Sequence, residues 1–114
     1  MADERGAMLQ GTLELLVLKI VSLEPMHGWG ITLRIEQMSQ RVLQVNQGSL
    51  YPALERLTTR GWMRSEWRTT ESNRRARYYD LTAVGRRRLA AEQEGWERSS
   101  GAVNAILSWS GALP

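Results

Sequence analysis

The 114-residue chain has no cysteine, no phenylalanine, one lysine, one histidine and three prolines. Without cysteine there is neither a disulfide framework nor a thiolate metal site, and a reducing compartment suits the chain. The lone His27 has no second histidine with which to share a metal or a proton, which leaves it a turn or helix-capping role. No paired carboxylates, nucleophile elbow or phosphate-cradling glycine loop occurs, so no catalysis, metal or cofactor is expected. Long hydrophobic runs are also missing. Leu13 to Leu23 is too short for a bilayer and is interrupted by Glu14 and Lys19, while Asp3 and Glu4 stand where an export signal would be basic. A soluble, cytoplasmic protein is expected.

Fifteen basic residues against twelve acidic ones leave a net charge of only +3, so the balance itself says little about partners. All but one of the basic residues are arginine, which fits a GC-rich genome. Their distribution is more informative: Arg68, Arg74, Arg75 and Arg77 face a single acid, Glu71, within one short stretch, and form a local positive edge. The length suits one domain with a modest core, near the size at which oligomerisation commonly adds burial.

Thr12 is placed to cap a first helix reaching Leu23, with Glu14 in its first turn and Pro25 ending it. Its apolar residues cover nearly the whole circumference, so it needs neighbours on more than one side. A second helix is predicted over residues 28–38 from the spacing of Ile31, Ile35 and Met38, with Gly28 and Gly30 marking close packing at its start. A third helix begins at Asn46, Gly48 or Ser49. Leu50, Leu54 and Leu57 form its apolar back; Ser49, Pro52 and Arg56 point the other way, and Pro52 requires a place in the first turn. Gly61 stops this helix. Residues 62–68 and 76–81 alternate as two antiparallel strands around a polar turn. Thr82 then caps a long helix from Ala83 to about Trp109, with Leu89, Trp96 and Val103 seven apart and Ile106 and Leu107 extending the stripe. Gly95 and Gly101 predict a kink or a close helix crossing there.

Gln47, Ser49, Tyr51, Pro52 and Arg56 give the third helix a narrow polar front suited to a DNA major groove. Taken alone it reads equally well as an ordinary amphipathic helix with a solvated face. The basic hairpin directly after it favours DNA, with Arg74, Arg75 and Arg77 as phosphate or minor-groove contacts. Arg86 to Arg88 read instead as a solvated face paired with Glu92 and Glu94. Most of the five tryptophans read as core or interface fillers. Trp96, on the stripe with Leu89 and Val103, could meet a twofold mate and frame a slot for a planar effector, although simple dimer packing is the blander role.

From about Met8 to Ser108 the chain resembles the PadR family of bacterial winged-helix transcriptional regulators. The resemblance rests on Gly11-Thr12-Leu13-Glu14-Leu15, Met26-His27-Gly28-Trp29-Gly30-Ile31, Gly48-Ser49-Leu50-Tyr51-Pro52-Ala53-Leu54, and Arg77-Tyr78-Tyr79-Asp80-Leu81-Thr82 with Gly85. Trp29 replaces a usual tyrosine, Asn73 a common wing glycine and Ala76 a frequent basic residue, so the wing carries one charge fewer. Asn tolerates the left-handed turn. Because it stops after one long helix, the chain resembles the family's short branch. The resemblance implies a homodimer built by the first and last helices, and repression of nearby genes relieved by a ligand or stress signal. It also implies DNA contacts from Ser49, Tyr51 and Pro52 and from a wing bearing Arg74 and Arg75.

The expected fold is therefore mainly α, an α+β winged helix-turn-helix. It comprises a three-helix bundle, a two-stranded wing and a long C-terminal dimerisation helix. Residues 1–7 and 111–114 are expected as flexible tails, 8–82 as the DNA-binding domain and 83–110 as the dimerisation helix. The expected partner is double-stranded DNA bearing a pseudo-palindromic operator, bound in the bacterial nucleoid. The alternative is a winged-helix protein-interaction module that binds no DNA.

Overall fold

Leu13, Val17, Leu18, Ile20 and Val21 are all buried, so the first helix has to sit at the centre of the domain. The computed structural model describes residues 2–114, with side chains from residue 11 onward. Its elements are α1 (Ala2–Leu23), β1 (Met26–His27), α2 (Gly28–Met38), α3 (Gln47–Thr59), β2 (Met63–Thr69), β3 (Arg75–Leu81) and α4 (Ala83–Leu107). Helix α1 packs against α2, α3, α4 and β3, which supplies the several apolar neighbours its circumference requires. Ile31 and Ile35 from α2, and Leu50, Ala53, Leu54 and Leu57 from α3, close the core together with Met63, Tyr79 and Leu81 from the sheet. Each fully buried large side chain contributes about 1.5–3 kcal/mol, so this cluster dominates the stability of the fold.

Residue 1 and the side chains of residues 2–10 lie outside the described part, while the backbone of residues 2–7, within the tail expected over residues 1–7, forms the start of α1. Helix α1 starts well before Thr12, which is therefore inside the helix and not its cap. The physical reason is propensity: Ala, Glu, Arg, Met, Leu and Gln upstream of Thr12 all favour helix, with only Gly6 and Gly11 against it. For the same reason Glu14 is not a first-turn acid.

Three other caps fall where local chemistry places them. His27 caps α2, its Nδ1 accepting the Gly30 amide at 3.0 Å. Asn46 caps α3 through Oδ1, which accepts the Ser49 amide at 2.8 Å. Thr82 caps α4, its hydroxyl accepting the Gly85 amide at 3.0 Å and donating to the Gly61 carbonyl at 2.7 Å. Gly61 ends the α3 segment in a left-handed conformation, with φ of 79°. Starting α3 at Gln47 puts Pro52 one turn further in than expected. The amide hydrogen that proline lacks would have served the Gly48 carbonyl, and Gly48 is exposed, so water can replace that bond.

The sheet has three strands, in the order β1-β3-β2, one more than expected. Strand β1 is only two residues long, too short for alternation to reveal. It pairs Met26 with Tyr79 and His27 with Tyr78, while β2 and β3 run antiparallel from Met63↔Leu81 to Thr69↔Arg75. The far half of this hairpin extends past the helices and is exposed.

Helix α4 buries only Gly85 fully, and Leu89 packs partly on the core. Its outer half carries Trp96, Val103, Ile106 and Leu107 into solvent, and the molecule measures 61 × 31 × 21 Å. The helix is continuous through Gly95 and Gly101, and a Cβ added at either would meet no neighbouring element within 4 Å among the described residues, so the close crossing expected there does not occur within one protomer.

Candidate nucleic-acid interface

The buried back of α3 leaves Gly48, Tyr51, Pro52, Glu55 and Thr59 on its exposed side. Small residues at Gly48 and Pro52 keep this ridge low. Tyr51 leans over the start of α2: a Cβ added to Gly28 would lie 2.9 Å from the Tyr51 hydroxyl, so the glycine is what admits the ring. Gln47 is anchored sideways, its Nε2 donating to the hydroxyl of buried Thr32 at 3.4 Å. Ser49 is half-buried beside the cap.

Arg56 occupies the flank of α3 that faces α1. Its Nε donates to Glu14 Oε2 at 2.7 Å, while Arg60 Nη1 donates to Glu14 Oε1 at 2.9 Å, so one carboxylate joins two arginines of α3 to α1. Arg60 also lies 5.1 Å from the centre of the Trp62 ring, and Arg88 of α4 lies 4.6 Å from the same ring. Arg88 is paired in turn with Glu92 at 3.2 Å.

On the wing, the turn is fixed by its own polar groups. The Thr70 amide donates to the Arg74 carbonyl at 2.6 Å, the Asn73 amide donates to the Thr70 carbonyl at 2.9 Å, and Asn73 adopts φ of 64°. Arg74 is exposed, Arg75 lies 5.9 Å from the Trp67 ring centre, and Arg77 Nε donates to Ser65 Oγ at 2.9 Å. None of these three arginines is paired with a carboxylate among the described residues. Arg68, by contrast, pairs with Glu66 at 3.0 Å and lies 5.2 Å from the Tyr78 ring centre. Tyr78 also receives His27 edge-on at 5.2 Å, so the residue that caps α2 also braces the wing.

Tyr79 sits where the wing joins α3. Burial pushes its phenol above the ordinary value of 10.0, with Glu55 and Tyr51 adding to the rise and Arg77 opposing it.

The sequence-predicted residues therefore form two groups, one on α3 and one on the wing that follows it. Trp96 and Val103 stand apart on the exposed part of α4, and Leu89 lies nearer the core. Three residues at or beside the interface escape sequence reading. Glu14 reaches Arg56 across 42 positions, a separation no local pattern signals. Trp67 falls in phase with buried Met63 and half-buried Ser65, but the strand outruns the helices and leaves it 58% exposed. Glu55 adds an acid to the exposed side of α3. Of the two roles expected for the tryptophans, core or interface filler, the core role is not met: Trp29, Trp67, Trp96 and Trp109 are exposed, and Trp62 is only half-buried.

The sequence profile of the PadR-like transcriptional regulators matches residues 17–91, a span from mid-α1 to the first turns of α4 that takes in α3 and the wing. The chain belongs to the PadR-like family. A transcriptional regulator from Clostridium thermocellum superposes with a TM-score of 0.81 at 22% identity, covering 90% of this chain and 99% of that one. A PadR-like transcriptional regulator from Bacillus cereus superposes with a TM-score of 0.78 at 26% identity, covering 91% and 99%. Among curated sequences, an uncharacterized 37.1 kDa protein in transposon TN4556 of Streptomyces fradiae is 37% identical over 90 residues. That stretch covers 79% of this chain but only 24% of the relative, so the chain spans about a quarter of that protein's length. PadR membership accords with the mainly helical α+β winged-helix fold. Among the described residues no helix is long and apolar enough to cross a membrane.

Proposed function

We propose that this PadR-family chain acts as a homodimeric, sequence-specific DNA-binding repressor, relieved by a ligand or stress signal. The observation that carries the DNA reading is an exposed, low-profile α3 ridge followed by three wing arginines that no carboxylate neutralises among the described residues. In this reading Gln47, Ser49, Tyr51, Pro52 and Arg56 face a major groove, and Arg74, Arg75 and Arg77 contact flanking backbone. Residues 8–82 form the DNA-binding unit and residues 83–110 the dimerisation helix. Two copies address half-sites of a pseudo-palindromic duplex about 34 Å apart.

The exposed stripe of Trp96, Val103, Ile106 and Leu107 supports the dimer, since a lone helix rarely leaves that much apolar surface in water. Trp96 paired with its mate offers a flat aromatic surface to a planar effector. Loss of fluorescence quenching by planar aromatics in Trp96→Ala tests that slot, and an absence of quenching in the wild-type protein counts against it. A bacterial cytoplasmic location follows from the regulatory role.

The test of DNA binding is the salt dependence of affinity. Replacing Arg74 and Arg75 together by Ala should weaken binding to all duplexes and flatten the slope of log K against log salt by about one or two units. An unchanged slope would falsify the wing assignment. Glu55, an acid on the exposed side of α3, favours a second reading, a protein-interaction module. Failure to retain sheared genomic DNA at low salt would favour that reading over the first.

A further inference from the structure

Among the described residues, Glu14 is the one carboxylate in contact with the reading helix through two arginines at once, and it belongs to a different helix. Its side chain is 18% exposed, against 35% for Arg56 and 43% for Arg60. The two arginines are held differently. Arg60 is constrained on two sides, by Glu14 at its Nη1 and by the Trp62 ring, which carries Arg88 as a second guanidinium neighbour. Arg56 is held at Nε alone, and neither of its Nη groups has a partner among the described residues.

A guanidinium fixed through Nε keeps its plane and direction while its two Nη groups remain available as a fork. That is the geometry for bidentate recognition of a base edge or a phosphate. An unfixed arginine would sweep a wide volume and contact any nearby phosphate. Sequence discrimination comes from donors that cannot relax toward the backbone of a wrong site.

We infer that Glu14 is a positioning residue for sequence reading: it fixes Arg56 with its Nη groups outward and offsets its charge, so that Arg56 favours the correct site over random DNA. This rests on the DNA-binding reading above. Because Glu14 lies on α1, the same contact makes the aim of Arg56 depend on how α1 sits against α3.

The test uses the full-length protein, a duplex selected by the wild-type protein from a random-sequence library, and a random duplex of equal length. Glu14→Gln should lower the affinity ratio of selected to random duplex about ten-fold, the worth of one well-placed arginine contact. It should also steepen the salt slope on random DNA by up to about one unit, because a previously compensated arginine becomes free to meet phosphate. A packing role alone would not steepen that slope. In an Arg56→Gln background, Glu14→Gln should change the ratio no further. Arg56→Lys, which retains the charge on an exposed flank, should lower the ratio with the slope unchanged, and it serves if Glu14→Gln does not fold.

An unaltered ratio and slope in Glu14→Gln would overturn the inference alone, as would an equal loss in the Arg56→Gln background or an intact ratio in Arg56→Lys. A wild-type protein that retains neither duplex at low salt overturns the DNA-binding reading and this inference with it.

Discussion

Gly85 lies directly against the backbone carbonyl of Trp62, so close that a methyl group has no room between them. The carbonyl is fixed from another side too, because it accepts the Thr82 amide at 3.1 Å. Gly85→Ala should therefore force the start of α4 away from the α3–β2 turn, at a cost of about 1–3 kcal/mol. Gly11, mid-helix with nothing within 4 Å, provides the contrast. Gly11→Ala should raise stability by up to about 1 kcal/mol through helix propensity. Urea melts of the two variants should move in opposite directions, and a Gly85→Ala midpoint equal to the wild type would refute the packing account.

Removing the His27 side chain should cost α2 its cap. The Gly30 amide loses its acceptor in His27→Ala, and about 1 kcal/mol of stability should go with it. His27→Asn supplies another acceptor and should recover part of the loss. Equal melting of wild type and His27→Ala would show that the cap contributes nothing.

Alkaline stability should report on Tyr79. Its folded pKa is raised above 10.0 by burial, so the neutral phenol is the form the fold favours. The contribution is fully present below the unfolded value and is lost as pH rises past 10.0 and through the folded value. Tyr79→Phe cannot ionise and should lose less stability over that window. Parallel declines of the two proteins between neutral and strongly alkaline pH would contradict this.

Trp67 tests the wing from its aromatic side. It is exposed and lies near Arg75, so Trp67→Ala should alter stability by no more than about 0.5 kcal/mol. Affinity for duplex DNA should fall because Arg75 loses the surface that restrains it. Full affinity in the variant would remove Trp67 from the interface.

Val103 and Ile106 test the outer part of α4. Both are exposed, so Val103→Glu with Ile106→Glu should leave the winged-helix core folded. Sedimentation should nevertheless show a monomer, in contrast to the dimer proposed for the wild type. A variant that sediments as the wild type does would place the dimer contact elsewhere.

Periodicity carried much of the fold. Leu50, Leu54 and Leu57 mark the buried side of α3, and the caps at Asn46 and Thr82 follow from side chains able to accept an amide hydrogen. Local chemistry even placed His27 at a helix start. Elements whose pairing is remote were not legible: the two residues of β1 are defined only by Tyr78 and Tyr79 across the sheet. The candidate interface divides the same way. The exposed ridge of α3 and the wing arginines could be read from order along the chain, whereas the Glu14 contact depends on α1 lying beside α3. Trp67 was obscured because alternation assigns a face without saying where the covering helices end.

The contacts at the base of α4 have a mechanical consequence. Thr82 joins it to Gly61, Gly85 presses on Trp62, and Arg88 rests on the ring of the same tryptophan. Farther along, α4 also lies against α1 and carries Trp96, Val103, Ile106 and Leu107 exposed, and its 25 residues make a rod about 38 Å long. A tilt of about 5° at the base sweeps the far end through about 3 Å, comparable to one base-pair step of DNA. In a dimer joined through those rods, the spacing between two reading helices would be set by the angle at which α4 leaves Trp62 and α1.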